Sequence, residues 1–158
     1  MPAPSLIGDV LVIGLFPTAL CTTIATDLAR RVIPNLVVLA LLAGFALLAA
    51  IHGVPDLKLR LYLAAGVLGV GFLLFSADVI GAGDAKLAAA VVPWLDPGQV
   101  PAFLLLCGLL GAGLVAATLW RHRLQRLRLS ALPALPYGVA LAGAALLLFP
   151  FSTLMGAA

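Results

Sequence analysis

Ser76-Ala77-Asp78-Val79-Ile80-Gly81-Ala82-Gly83-Asp84-Ala85-Lys86-Leu87 is the stretch on which the reading of this chain turns. It sets two carboxylates, two glycines and a lysine between long apolar runs. A charged side chain at membrane depth is expensive, and it usually faces the protein interior or a water-filled cavity. Gly81 and Gly83 remove bulk beside Asp84 and free the local backbone, so another peptide chain could approach that carboxylate closely. The plainer alternative is a polar loop between two membrane helices. A second stretch, Asp27-Leu28-Ala29-Arg30-Arg31-Val32-Ile33-Pro34-Asn35, carries a further acid at the edge of an apolar run.

Composition narrows the setting. The 158 residues are 64% hydrophobic and only 9% charged, with a mean hydropathy of +1.23. Soluble domains carry about 25% charged residues; this chain belongs in a bilayer. Its pI of about 9.3 comes from a few loop arginines and does not point to nucleic acid. All six acids are aspartates. Cys21 and Cys107 lie in separate apolar segments and suggest neither a metal site nor a disulfide framework. No Lys or Arg precedes the first apolar run, so it does not read as a signal peptide.

The apolar runs predict an all-α, polytopic integral membrane protein forming a single domain over 1–158. Six spans are expected, at about 6–26, 34–51, 61–79, 84–95, 102–120 and 134–154. The fourth is short: its twelve residues rise only about 18 Å as a helix, and about 20 residues are needed to cross. It must start inside the membrane, tilt, or be supported by neighbours and water. Basic loop residues set the orientation. Arg30, Arg31, Lys86, Arg121, Arg123, Arg126 and Arg128 fall on one side, and only Lys58 and Arg60 on the other. The richer side is expected in the cytoplasm, with both termini outside. The Arg121–Arg128 run reads as a topology anchor against anionic headgroups, or as a partner-docking loop. Asp27, Asp78 and Asp84 then lie near the cytoplasmic face, Asp27 and Asp84 meeting at one depth although 57 residues apart.

Inventory limits the chemistry. A zinc protease of the His-Glu-x-x-His type is excluded, because the chain has no glutamate. His52 and His122 are expected on opposite sides of the membrane, so no metal is expected. No serine sits in a Gly-x-Ser-x-Gly turn, and neither histidine lies within a span. Paired aspartates remain. Two carboxylates sharing a proton acquire split affinities, so that one acts as base towards water and the other as acid. Asp9 lies about 27 Å from Asp27 along a helix, and Asp56 and Asp96 are expected on the outer side. Asp27 and Asp84 are therefore the candidate pair. Asp78 is either a supporting residue or an exposed helix-end charge. Pro136-Tyr137-Gly138 opens the last span, either as a simple helix start with an interfacial tyrosine or as a wall narrowing the cleft opposite the aspartates.

Gly81-x-Gly83-Asp84-x-Lys86-Leu87 resembles the Gly-x-Gly-Asp motif of membrane aspartyl proteases. Together with Asp27-x5-Ile33-Pro34-Asn35 it resembles the type IV prepilin peptidase family, and most closely the short branch serving tight-adherence (Flp-type) pilus systems. Pro136-Tyr137-Gly138 resembles that branch's last-helix motif. The resemblance implies cleavage of a basic leader from a prepilin, just before its apolar helix, at the cytoplasmic face of the bacterial inner membrane. It assigns catalysis to Asp27 and Asp84, without a cofactor. It implies substrate-binding or supporting roles for Asp78, Gly81, Gly83, Lys86, Pro136, Tyr137 and Gly138. Long family members carry a cysteine-rich insertion between the first two spans and also methylate the new N-terminus. Here that connection is about seven residues without cysteine, so methyl transfer is not expected.

Two other classes fit part of the pattern: a proton-coupled transporter, since intramembrane aspartates mark ion pathways, and a non-catalytic pilus-assembly subunit. Against the transporter, the acids cluster at one face and form no midplane chain. The charge asymmetry makes a direct prediction. Single cysteines at Ala29 and Ser130 should be labelled by an impermeant thiol reagent only from the cytoplasm, and one at Gly53 only from outside. Periplasmic labelling at Ala29 would put the candidate pair on the wrong face for a prepilin leader.

Overall fold

The computed structural model describes residues 6–124 and 136–156. Arg126, Arg128 and the start of the sixth expected span lie outside the described residues, as do the side chains of Arg121 and Arg123. The protein is all-α, with no strand among the described residues. Its helices are α1 (Leu6–Asp9), α2 (Phe16–Arg30), α3 (Asn35–His52), α4 (Leu57–Ser76), α5 (Ala82–Val91), α6 (Val100–Leu124), α7 (Tyr137–Leu148) and α8 (Thr153–Gly156). A π-helical turn, Val10–Leu15, joins α1 to α2 without breaking the rod. Four rods are long and apolar enough to cross a membrane: Ile7–Arg30, Asn35–His52, Leu57–Ser76 and Pro97–Trp120. Tyr137–Phe151 is a shorter apolar helix. Large apolar side chains such as Leu36, Phe72 and Leu105 project outwards, as a lipid-facing surface requires.

Hydrocarbon offers no water, so polar groups must find partners inside the protein. The threonines of the first rod do so locally. Thr18, Thr22, Thr23 and Thr26 each donate a hydroxyl to the carbonyl four residues back. Element ends follow their sequence signals. Arg31 takes a left-handed conformation (φ 54°) and returns its N–H to the Asp27 carbonyl, ending α2. Pro34, which has no N–H to leave unpaired, caps α3. The link from α2 to α3 is therefore only residues 31–34, tighter than the seven residues expected, because Asp27 lies inside the helix.

The core sits around α5. Leu87, Ala88, Ala89, Ala90 and Val91 are all buried, and the chain continues through a buried 3₁₀ turn, Val92–Trp94. Trp94 is fully enclosed. Its ring lies 5.0 Å from that of Phe16 and 5.8 Å from that of Phe45, and its Nε1–H donates to the Leu41 carbonyl at 3.2 Å. One indole thus ties α5 to α2 and α3. The expected fourth span is in fact a ten-residue helix and this turn, supported by neighbours as its length demands.

One expectation needs correction. Arg60 is not a free loop charge on the side poor in basic residues; it is 1% exposed. Its guanidinium donates to the carbonyls of Pro55, Pro93 and Leu95, to the Asp96 carboxylate and to Thr153 Oγ1. A buried and paired arginine is a structural group, so the basic asymmetry between the two sides is sharper than a loop count gives.

Removing the indole should be costly even without a water-driven hydrophobic effect, because the cavity left behind loses packing contacts outright. Trp94→Ala is expected to destabilise the protein by about 3 kcal/mol, measured by reversible unfolding in mixed detergent micelles. A loss below about 1 kcal/mol would mean that the neighbouring helices collapse into the space.

Candidate active site

Asp27 stands in the last turn of α2 and Asp84 in the first turn of α5, so two antiparallel rods deliver two acids to one end of the bundle. Asp27 is the more enclosed, at 5% exposure. Its Oδ2 accepts the Val139 N–H at 3.1 Å, a first-turn donor of α7 that is shared with the Pro136 carbonyl at 3.2 Å. That bond depends on Gly138. A Cβ there would fall 2.9 Å from Asp27 Oδ2 and 3.0 Å from Ile33 Cδ1, closer than a side chain tolerates. The Pro136-Tyr137-Gly138 segment is thus a wall built against Asp27.

Asp84 is held from its own element. The Gly81 N–H donates to Asp84 Oδ2 at 3.3 Å, and the helix N-terminus behind it favours a negative charge. A Cβ at Gly81 would sit 2.9 Å from the same oxygen, so any larger residue would turn the carboxylate away. Gly83 packs against Ile33, which reaches from the α2–α3 link to touch both glycine-bearing helices. Ile33 therefore wedges the two halves of the site together.

Asp27 and Asp84 line one cavity of about 440 Å³, with Arg31, Asn35, Lys86 and Tyr137. They are close enough for one charge to act on the other. Neither carboxylate is neutralised by an ion pair: among the described residues the one salt bridge is Arg60 to Asp96, at the opposite end of the bundle. A second, apolar groove of about 530 Å³ runs between α4 and α6, over α5 and α7, past Val67, Leu104 and Cys107. The two spaces share Asp84 and Tyr137 as lining residues. Tyr137 stands at their junction because Gly111 on α6 gives its ring room; a Cβ at Gly111 would meet Tyr137 Cε2 at 2.6 Å.

The sequence-derived candidates fall into two groups. Asp27, Asp84, Gly81, Gly83, Lys86 and Tyr137 line the polar cavity, and Pro136 and Gly138 form the adjoining wall. Asp78 is not among them; it is exposed, in a left-handed conformation (φ 55°) in the turn before α5. Sequence reasoning missed the Val139 N–H, Gly111 and the wedge made by Ile33. Ile33 was visible only as part of a motif, and the others carried no signal of their own.

An all-helical membrane protein with two carboxylates from separate helices facing one cavity is the arrangement these observations define. A sequence model of the type IV leader peptidase family matches residues 14–116, well over half of the chain and inclusive of both aspartates. The chain belongs to that family. No curated protein and no solved structure matches it.

The Gly138 contact yields a sharp test. Gly138→Ala should push the Asp27 carboxylate off the Val139 N–H and lower turnover in a prepilin-cleavage assay by about tenfold or more, with the protein still monodisperse in detergent. Unchanged turnover would show that the wall yields without moving Asp27.

Proposed function

We propose that the protein is an aspartyl endopeptidase that removes the basic leader of type IV prepilins, of the Flp type, at the cytoplasmic face of the bacterial inner membrane. One observation carries the reading: two carboxylates from separate helices line a polar cavity that adjoins an apolar groove at Asp84 and Tyr137. A prepilin has the matching division, a charged leader followed by an apolar helix. The polar cavity would take the peptide at the scissile bond, and the groove the first turns of the helix behind it.

The chemistry follows from the pair acting as a unit. One ionised carboxylate takes a proton from a water held between the two acids, and the oxygen attacks the peptide carbon. The other, protonated, hydrogen-bonds the carbonyl oxygen as it gains charge. As the C–N bond breaks, the leaving nitrogen takes up the proton removed from water. Lys86 and Arg31 at the cavity wall keep the rim from becoming uniformly negative. Asp78, exposed in the adjoining turn, is positioned to attract a basic leader, so it would affect engagement more than turnover. No metal or other cofactor is required by this scheme.

Asp27→Asn and Asp84→Asn should each abolish prepilin cleavage in proteoliposomes while leaving insertion and folding intact. Asparagine keeps the size but cannot accept water's proton. The double variant should be no worse than either single one, because groups acting as a unit are not additive. Asp9→Asn, about 27 Å from Asp27 along the first rod, should keep substantial activity. Near-normal processing by Asp84→Asn would exclude the aspartyl mechanism and move the transporter and assembly-subunit readings forward.

A further inference from the structure

The end of the bundle opposite the aspartates holds a second polar cluster that the peptidase reading does not use. Residues 93–99 cannot continue α5, because Pro93 and Pro97 interrupt it, and the carbonyls of Pro93 and Leu95 are left without helical partners. Arg60 supplies them, donating from Nη1 at 3.0 Å and 2.6 Å. Its Nη2 meets Asp96 and Thr153. Asp96 in turn accepts the Thr153 N–H at 2.9 Å and the Thr153 hydroxyl at 2.6 Å. Burial alone would raise the Asp96 carboxyl, but the Thr153 and Arg60 hydrogen bonds and the guanidinium charge outweigh it and hold the group below the ordinary carboxylate range. Gln99 Nε2 donates to the Leu148 carbonyl and Ser152 Oγ to that of Trp94. This knot joins the foot of α5 to the foot of the last helix.

Arg60 matters because of what α4 otherwise does. The buried residues of that 20-residue helix are Arg60 and Gly71. Gly71 lies against Ala85, where an added Cβ would come within 2.9 Å of the Ala85 Cβ; Ala85 follows Asp84 directly. α4 therefore grips α5 at two levels, beside the catalytic acid through a glycine and at the foot through the guanidinium.

We propose that Arg60 is a positioning residue for the peptidase reaction: by binding the Pro93 and Leu95 carbonyls it fixes how far along the bundle axis α5 stands, and so sets Asp84 level with Asp27. The inference rests on the aspartyl-peptidase reading. Without the guanidinium the two carbonyls are drawn towards water at the near membrane surface. α5 then slides towards that surface, and Asp84 withdraws from Asp27. A planar fork with five donors spans both carbonyls and Asp96 at once; an ammonium is a point charge and cannot.

The test compares Arg60→Lys and Arg60→Met with the unaltered protein in proteoliposomes, reading kcat and KM for a prepilin. Activity-independent labelling of Ala82→Cys by an impermeant maleimide runs in parallel, on a background with Cys21 and Cys107 replaced. Arg60→Lys should lower kcat by about a hundredfold, the loss expected for a displacement near 1 Å. KM should change by less than about threefold, since Arg60 itself lines neither the cavity nor the groove and the loss falls on the chemical step. Ala82→Cys should label several times more slowly as α5 retreats. Thermal stability is followed in each variant. If Arg60→Met does not fold, Arg60→Lys decides alone. A folded Arg60→Lys protein with kcat within threefold of the original and unchanged labelling overturns the proposal, as does loss of kcat in step with stability while labelling stays constant. If the original protein cleaves no prepilin, the peptidase reading fails by itself; the labelling shift still reports whether Arg60 sets the height of α5.

Discussion

The satisfaction of backbone carbonyls where α5 stops short governs this structure. A ten-residue helix cannot cross a bilayer, and its free ends cannot turn to water inside hydrocarbon. The chain meets this by burying a guanidinium at the far end and an indole beside it. Arg60 binds the carbonyls of the interrupted segment, and Trp94 fills the space among α2, α3 and α5. Everything about the candidate site depends on that support, because α5 carries Asp84. A full-length span would have needed no such knot, but its N-terminus would not have opened beside a polar cavity.

At the other end the requirement is proximity rather than satisfaction. Two carboxylates repel, and each needs fixed donors if they are to remain close. Asp27 takes the Val139 N–H and Asp84 the Gly81 N–H. Both donors are backbone groups near helix N-termini, and among the described residues no cation forms an ion pair with either acid. Close approach is secured by missing side chains: Gly138 against Asp27 and Gly81 against Asp84. Glycine here is a steric device first, since neither residue is in the left-handed region.

What could be read from the sequence divides along the same line. Asp27 and Asp84 stood out because charge interrupting apolar sequence is rare and costly, and two such interruptions on one membrane side imply a shared site. Four of the six expected spans are helices long and apolar enough to cross, as hydrophobic length indicated, and the fourth and sixth are shorter. Arg60 was misread for a physical reason: orientation rules treat a cation near a span end as solvated, and only packing reveals that this one is enclosed. The Val139 N–H was invisible because every residue but proline has one, and its partner lies 112 positions away. Gly111 likewise gave no signal, since its role is to leave room for a ring on another helix. Asp78 had the residue type of the other acids but not their surroundings, which the turn at φ 55° turns outwards.

The distribution of burial suggests how such a site admits a polypeptide. α5 is enclosed along most of its length, whereas α4 buries only Arg60 and Gly71. Asp84 is therefore carried by the best-packed helix, while the walls of the adjoining groove, α4 and α6, stand largely towards lipid. A helix that packs inwards through partly buried Leu63, Ala64 and Val67 and otherwise faces lipid can shift laterally with less loss of packing than an enclosed one, because lipid replaces part of the contacts it gives up. The enclosed helix cannot, since its side chains from Leu87 to Val91 are buried among fixed neighbours. Widening of the groove need not disturb the spacing of the carboxylates. The two grips on α5 make this separation effective: they constrain α4 along the bundle axis, the direction that matters for Asp84, and leave its outer face free.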